Sequence, residues 1–265
     1  MAMSDYDADD VRNRVRARFG ARSADYRASV AHSSGGDLDL LIELVAPTVG
    51  ARALDIATGA GHTALALASA GADVTASDLT PEMLAEAADN LEANGLTATM
   101  AIADALDLPF ANESFDIVTA RMAPHHFPDP KRFIDEVARV LAPGGRFGLE
   151  DQAGPEDVAG GSVINEYEIV RDPSHNRQLP VSEWRALAQS AGLLVEHAEV
   201  FDKWVEFDWW TSIQNVSQDG RETLSALLAA GPETAREWYS PAFRANGLIE
   251  RFRIPHLIML TGKPK

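Results

Sequence analysis

One acid and two glycines, set around a predicted strand and a predicted helix, are the residues of this 265-residue chain that first suggest chemistry. Asp55 ends a short apolar run, and Gly59 and Gly61 follow it before a stretch rich in alanine and leucine. Glycines let a ligand approach the backbone closely, and the first turn of a helix presents N–H groups without intrahelical partners. The pattern therefore predicts a corner that binds a nucleotide-like ligand.

Two further acids each follow a predicted strand. Asp78 ends the segment ADVTASD (72–78), about 20 positions beyond the glycine turn, where an acid is placed to accept hydrogen bonds from ribose hydroxyls. Asp104 follows a third strand within TMAIADALDLPF (99–110). Three acids in succession suit a ligand that carries an ammonium group, a ribose and an adenine.

A dinucleotide is the alternative ligand, because Gly59-x-Gly61-x-x-Ala64 also satisfies the pattern of NAD-binding turns. That alternative would make the protein an NAD-dependent oxidoreductase. Asp55 argues against it, since its carboxylate would repel a pyrophosphate beside the turn. A ligand with a cationic amino group and no phosphate fits better, and S-adenosylmethionine is such a ligand.

The chain resembles the class I S-adenosylmethionine-dependent methyltransferases, and within them the branch around the ubiquinone and menaquinone C-methyltransferases. Ala57 departs from the pattern, because many family members have the first glycine of the loop there, and we expect the alanine to be tolerated. The segments that carry the resemblance follow the family's order and are RARFGARSADYRAS (16–29), LDIATGAGHTAL (54–65), SDLTPEML (77–84), DALDLPFANESFDIV (104–118), RMAPHHFPDP (121–130), RVLAPGGRF (139–147) and RDPSHNR (171–177).

Each predicted cofactor contact follows from its position along these segments. We expect Asp55 to meet the amino group, Asp78 the ribose hydroxyls and Asp104 the adenine amino group; for each acid, the alternative role is a helix N-cap. The resemblance implies that Tyr26 lies near the methionine end, and Arg121 is expected on the carboxylate side. The full set is Tyr26, Asp55, Ala57, Gly59, Gly61, Asp78, Leu79, Met83, Asp104, Ala105 and Arg121.

Methyl transfer from a sulfonium needs alignment above all, and it needs a general base only when the acceptor must lose a proton. Adjacent His125 and His126 follow the fourth strand, and we predict His126 as a catalytic residue and His125 as a substrate contact. His175 is the second catalytic candidate, with Glu166 and Arg171 as further substrate contacts. No metal site is predicted, because chelating histidines usually need i,i+4 spacing or opposed strands.

Composition narrows the class of protein and its partners. The chain has no cysteine, which excludes disulfides and a thiolate nucleophile, and its net charge of −17 argues against nucleic acid as a partner. The N-terminus lacks the apolar run of a signal peptide, and no segment approaches the roughly 18 apolar residues of a membrane span. We predict a cytoplasmic enzyme for small-molecule biosynthesis, with a small-molecule acceptor, no integral membrane association and helices that could support a homodimer.

Alternating strand and helix patterns predict an α/β fold, a Rossmann-like seven-stranded mostly parallel sheet with helices on both faces and a helical cap. The last strand is expected to insert antiparallel between the fifth and sixth. We predict one methyltransferase domain over 1–265, with a cofactor-binding core at 40–152. The lid and cap segments are predicted at 1–36, at 153–180, which is expected to be an irregular loop, and at 204–247.

The expected activity is transfer of a methyl group to carbon, oxygen or nitrogen of a small apolar or aromatic molecule. A second hypothesis keeps the cofactor but has the protein catalyse a non-methylating reaction such as cyclisation, because the binding motifs would be the same.

Overall fold

The computed structural model describes residues 10–14, 16 and 36–265. Residues 10–14 are helical, whereas Tyr26 lies outside the described residues. Helices that follow are α1 (Gly36–Val45), α2 (His62–Ser69), α3 (Pro81–Ala93), α4 (Pro130–Val140), α5 (Val158–Arg171), α6 (Val181–Ser190), α7 (Phe207–Ile213), α8 (Gln218–Ala230) and α9 (Glu233–Tyr239). Strands in the same part of the chain are β1 (Arg52–Ile56), β2 (Asp73–Asp78), β3 (Thr99–Ile102), β4 (Phe115–Arg121), β5 (Leu141–Gln152), β6 (Leu194–Glu206), β7 (Ala242–Phe243) and β8 (Ile249–Gly262).

The strands form one sheet in the order β3-β2-β1-β4-β5-β8-β6, with β7 paired to β8. Strands β1 to β5 pair in parallel, and β8 lies between β5 and β6 as the sequence predicts. The predicted fold class is confirmed. One element was not predicted, since the two-residue strand β7 lies in a stretch expected to be mostly helical.

Register within the sheet brings polar residues of different strands to one edge. In the parallel pairs, Asp55 of β1 stands opposite Ala76 of β2 and Thr119 of β4. Asp78 and Arg121 end β2 and β4, one residue beyond the pairs that β1 makes with each. The carboxyl ends of β1, β2 and β4 therefore form the edge where ligands bind in open α/β sheets.

Local sequence explains the helices that follow these strands. Helix α4 begins with Pro130 at its first position, and the Asp129 carboxylate accepts a hydrogen bond from the Arg132 backbone N–H at 3.0 Å. Its buried side chains recur at helical spacing, with Phe133 and Val137 fully buried. Proline at the first turn and an aspartate N-cap are the features that start a helix.

The prediction of an irregular loop over 153–180 was wrong. Half of that stretch is helix α5, and the Asp157 carboxylate caps it by accepting from the Gly160 N–H at 2.7 Å. Gly160 is required by packing, because a Cβ there would lie 2.7 Å from Thr234 Oγ1 on α9. The glycine that suggested a loop instead lets two helices approach closely.

The chain divides into two compact units. The first comprises Met1–Asp151, Arg185–Ala198 and Ile258–Lys265, and the second comprises Gln152–Trp184 and Glu199–Leu257. The second unit has its own aromatic core, in which Trp210 stacks on Tyr167 and Phe252 meets Trp210 edge to face at a centroid distance of 4.9 Å. Trp210 is buried, whereas Trp204 and Trp209 are exposed.

Two buried tyrosines in the second unit allow a matched test of hydrogen bonding. The Tyr239 hydroxyl donates to Glu168 Oε1 at 2.7 Å and accepts from Gln178 Nε2 at 3.0 Å. The Tyr167 hydroxyl is equally buried and has no hydrogen-bond partner among the described residues. Burial raises the pKa of both phenols, and the Glu168 carboxylate adds to this effect.

We expect Tyr239→Phe to lower the free energy of unfolding by about 2 kcal/mol, because it leaves a buried carboxylate oxygen and an amide with lost partners. Tyr167→Phe removes only a hydroxyl without a partner and should leave stability unchanged or raised. Urea unfolding of both variants measures the difference. Equal losses in the two variants would contradict this account of the network.

Candidate cofactor site

A cavity of about 1100 Å³, including its opening to solvent, lies in the first unit at the carboxyl ends of β1, β2 and β4. The residues that line it are Val11, Arg12, Asp55, Ala57, Thr58, Gly59, Ala60, His62, Thr63, Asp78, Leu79, Met83, Ala103, Asp104, Ala105, Leu106, Arg121, Met122, Ala123, His126, Phe127 and Pro128.

Asp55 is the most deeply buried acid of the cavity. Its Oδ2 accepts from the Thr58 hydroxyl at 2.6 Å and its Oδ1 from the Thr119 hydroxyl at 2.7 Å. Burial raises the pKa of Asp55 to about 6, although the two hydroxyls and the nearby Arg121 charge favour the ionised form. A carboxylate held in this way can balance a cationic amino group.

Asp78 ties the end of β2 to the glycine turn. Its Oδ2 accepts from the Gly59 backbone N–H at 3.0 Å and its Oδ1 from the Thr80 N–H at 2.9 Å. Burial raises the pKa of Asp78, and these backbone donors partly oppose the shift. Each carboxylate oxygen has a second lone pair, so the side chain can still accept from ligand hydroxyls.

Asp104 meets an arginine that the sequence analysis did not assign. The Arg12 Nε donates to Asp104 Oδ2 at 2.6 Å, and Asp104 Oδ1 accepts from the Leu106 N–H at 2.9 Å. Val11, beside Arg12, is buried and lines the same cavity. The N-terminal helical residues therefore contribute to this site directly.

Arg121 forms a buried ion pair at the cavity wall. Its NH1 group lies 3.0 Å from Asp37 Oδ2 on α1, and its Nε donates to the Thr63 hydroxyl at 3.1 Å. Both charged side chains are less than a tenth exposed. The pair fixes the guanidinium, because a buried charge without a partner is costly.

The turn between β1 and α2 has a left-handed backbone at three positions. Ala57 has φ of 53°, Gly59 of 54° and Gly61 of 79°. An alanine in that region carries strain that a glycine avoids, so the departure at Ala57 is accommodated with a cost. At Gly61 space is also limiting, because a Cβ would lie 2.8 Å from Ala87 Cβ on α3.

We expect Gly61→Ala to lower the free energy of unfolding by about 2 kcal/mol or more, since left-handed strain and overpacking against Ala87 add together. Gly59→Ala is the matched variant, because a Cβ there meets nothing within 4 Å and only strain remains. Urea unfolding compares the two. A loss in Gly59→Ala as large as that in Gly61→Ala would show that packing contributes nothing.

The two adjacent histidines differ in their surroundings. His126 lines the cavity, whereas His125 is buried and its Nδ1 lies 2.5 Å from Asp151 Oδ1. Their rings contact each other, with centroids 4.1 Å apart. Both side chains are buried, but only His126 of the two lines the cavity, and His125 is held by a carboxylate.

The remaining predicted site residues belong to the second unit. Glu166 and Arg171 lie on α5, not on a loop; Glu166 is exposed, and the Arg171 guanidinium lies 4.2 Å from the centre of the Trp210 ring. His175 follows the helix and is buried, with Nε2 3.0 Å from Asn165 Oδ1. These contacts are structural in kind, and a role in acceptor binding stays a prediction.

Several site residues were missed by the sequence analysis. Thr58 and Thr119 hold the Asp55 carboxylate, and Asp37 pairs with Arg121. Thr119 could have been found, because an alternating strand that pairs with β1 places it opposite Asp55. Asp37 carries no local signal, since it lies 84 positions from its partner.

These features fit S-adenosylmethionine. Asp55, Asp78 and Asp104 line one cavity, and the turn between β1 and α2, which also lines it, has the left-handed backbone that lets a ligand approach closely. In the part of the chain that the structure describes, no group of three or more acids and histidines could hold a metal ion. The same part contains no helix that is long and apolar enough to span a membrane.

Comparisons with known proteins agree with the site. Residues 54–149 match the model of a methyltransferase domain family. The chain is 33% identical over 230 residues to YcgJ of Bacillus subtilis, which is named as an uncharacterised methyltransferase; the match covers 86% of this chain and 91% of YcgJ. The crystal structure of YcgJ superposes with a TM-score of 0.82 at 31% identity, over 86% of this chain and 98% of that one.

Two other proteins resemble the chain in different ways, one in sequence over part of its length and one in fold. A demethylmenaquinone methyltransferase of Thermus thermophilus is 42% identical over 118 residues, covering 44% of this chain and 54% of that enzyme. The [4+2]-cyclase SpnF has a TM-score of 0.60 at 24% identity, over 86% of this chain and 80% of SpnF, and shows the common fold alone.

The fold and the site thus define a Rossmann-like methyltransferase. The chain belongs to the S-adenosylmethionine-dependent methyltransferase family, and its cofactor is S-adenosylmethionine.

Proposed function

We propose that the protein transfers the methyl group of S-adenosylmethionine to a small apolar or aromatic acceptor. The observation that carries this proposal is the composition of the cavity. It is lined by His126, by the apolar residues Met122 and Phe127, and by the three acids. An imidazole beside apolar side chains suits an acceptor that is mostly hydrocarbon with one reactive group. The net charge of −17 disfavours nucleic acid as the acceptor.

Different residues of the chain are proposed to bind different parts of the cofactor and the acceptor. S-adenosylmethionine supplies an electrophilic methyl on sulfur when it is bound. In this proposal Asp55 holds the amino group, Asp78 the ribose hydroxyls and Asp104 the adenine amino group. The Gly59–Gly61 turn supports the ligand, with Leu79, Met83 and Ala105 packed beside the adenine. His126 orients the acceptor or takes its proton, and His175 is the second candidate for that role.

The acceptor class is proposed from similarity, and a reduced naphthoquinone is the first probe. The demethylmenaquinone methyltransferase that the chain matches over part of its length supports this choice. Purified protein would be incubated with S-adenosylmethionine and naphthalene-1,4-diol, and S-adenosylhomocysteine and methylated product measured by mass spectrometry. Methyl transfer that survives in His126→Gln combined with His175→Gln would remove both histidines from the mechanism.

A non-methylating reaction such as cyclisation is the second candidate. It is motivated by the fold shared with SpnF, a likeness that extends to fold alone. Formation of S-adenosylhomocysteine in step with product separates the two, because a cyclase would leave the cofactor intact. Calorimetry with NADH as a second ligand tests the oxidoreductase alternative.

A further inference from the structure

A buried imidazole–carboxylate pair lies next to the cavity-lining His126, and it differs from the substrate contact that the sequence predicts for His125. His125 Nδ1 is 2.5 Å from Asp151 Oδ1, and both side chains are less than a tenth exposed. The sheet explains why they meet. Strands β4 and β5 pair in parallel up to Arg121 and Glu150, so the turn after β4 comes beside Asp151.

The pair is linked to the cavity through one ring. His126 lines the cavity, and its ring contacts the His125 ring at a centroid distance of 4.1 Å. Pairwise contacts therefore link the three groups in the order Asp151, His125, His126, and we call this linked set the row. Two imidazolium rings in contact would repel each other, so the row is suited to hold one positive charge.

A row of this kind can act as a general base whose protonated form is stabilised by a carboxylate. A carboxylate bonded to Nδ1 fixes the ring and its tautomer and stabilises the imidazolium that forms when a proton arrives. The second oxygen of Asp151 is buried and has no hydrogen-bond partner among the described residues, so its charge is little neutralised by other donors. The other ionisable groups at the ends of β4 and β5 are Glu150 and Arg121, and Arg121 is engaged by Asp37.

We propose that Asp151 and His125 are positioning residues that stabilise the protonated form of His126, and that the site therefore serves acceptors that lose a proton on methylation, such as phenols, quinols or enols. This inference rests on the proposed function. In the step, the acceptor's electron pair forms the bond to the methyl carbon, the carbon–sulfur pair stays on sulfur, and the acceptor's proton passes to a ring nitrogen of His126.

The test uses the cofactor-free protein with ¹⁵N-labelled histidine, and follows ring nitrogens by NMR as pH is changed. In the wild type we expect His125 to carry its proton on Nδ1 when neutral, and the two rings to take up one proton together. Asp151→Asn keeps an acceptor oxygen but removes the charge, so the midpoint of that uptake should fall by about one pH unit, a tenfold loss of proton affinity. Asp135→Asn, an exposed acid on α4, is the control.

An unchanged midpoint in Asp151→Asn, or separate uptake of one proton by each ring, would overturn the proposal. His125→Gln is the second variant, should Asp151→Asn fail to fold, and it should lower the midpoint of His126 by a similar amount. With naphthalene-1,4-diol as acceptor, Asp151→Asn is expected to lower kcat at least tenfold with KM little changed, and an unchanged kcat would also overturn the proposal. Calorimetric binding of S-adenosylmethionine should be retained in both variants, so a failure of the cofactor assignment would be seen separately.

Discussion

Asp78→Ala is expected to weaken S-adenosylmethionine binding at least a hundredfold. The substitution removes the carboxylate proposed to accept from both ribose hydroxyls, and hydrogen bonds to a charged group contribute about 1.5–3 kcal/mol each. It also removes the acceptor of the Gly59 and Thr80 N–H groups, so the glycine turn loses a support. Together these losses exceed the roughly 2.7 kcal/mol that a hundredfold change requires.

Isothermal titration calorimetry measures the change, with thermal unfolding as the check that the variant is folded. Asp73→Ala is the matched control, because Asp73 begins the same strand β2 and is exposed at the opposite end. Asp78→Asn separates charge from hydrogen bonding and should fall between the wild type and the alanine variant. Binding in Asp78→Ala close to that of the wild type would refute the placement of the ribose.

The affinity for S-adenosylmethionine is expected to fall about tenfold between pH 7 and pH 5. Burial raises the pKa of Asp55 to about 6, and a cationic amino group favours the ionised carboxylate. At pH 5 only about a tenth of the free protein carries ionised Asp55, so binding must first release a proton. Binding should therefore strengthen as pH rises through 6 and then level off.

Asp55→Asn is expected to bind more weakly at neutral pH and to lose most of this pH dependence. That comparison isolates Asp55 from His126, which lines the same cavity and is unchanged in the variant. Calorimetry at several pH values in buffers of different ionisation enthalpy counts the protons released. A pH dependence that persists unaltered in Asp55→Asn would assign it to another group.

The raised pKa of Asp55 also makes the stability of the free protein depend on pH. This contribution to stability decreases as pH rises, whereas cofactor binding strengthens. The free protein binds this proton more tightly than the unfolded chain, whose ordinary value is 3.8. The resulting stabilisation is present below pH 3.8 and is lost as pH rises through about 6. Its size is on the order of 3 kcal/mol at 1.36 kcal/mol per pKa unit. Bound cofactor offsets this loss, because it stabilises the ionised form.

How much could be predicted from the sequence depended on whether a signal was local. The strand, turn and helix around Asp55, Gly59 and Gly61 are encoded in adjacent residues, and the structure has these elements there in that order. The loop prediction over 153–180 failed because the glycines and prolines of that stretch were taken as breaks, whereas Gly160 serves a close contact between α5 and α9. Local composition cannot distinguish these two uses of glycine.

The sequence alone determined the fold class, the cofactor and the acids at the ends of three successive strands, because each depends on residue type and short spacing. Only the tertiary structure decided what those acids contact. The partners of Asp55, Arg121 and His125 lie in other elements, and parallel pairing of β1, β4 and β5 brings Thr119 and Asp151 to the site. Contacts between distant segments arise from the sheet's register and burial, which no single stretch of sequence contains.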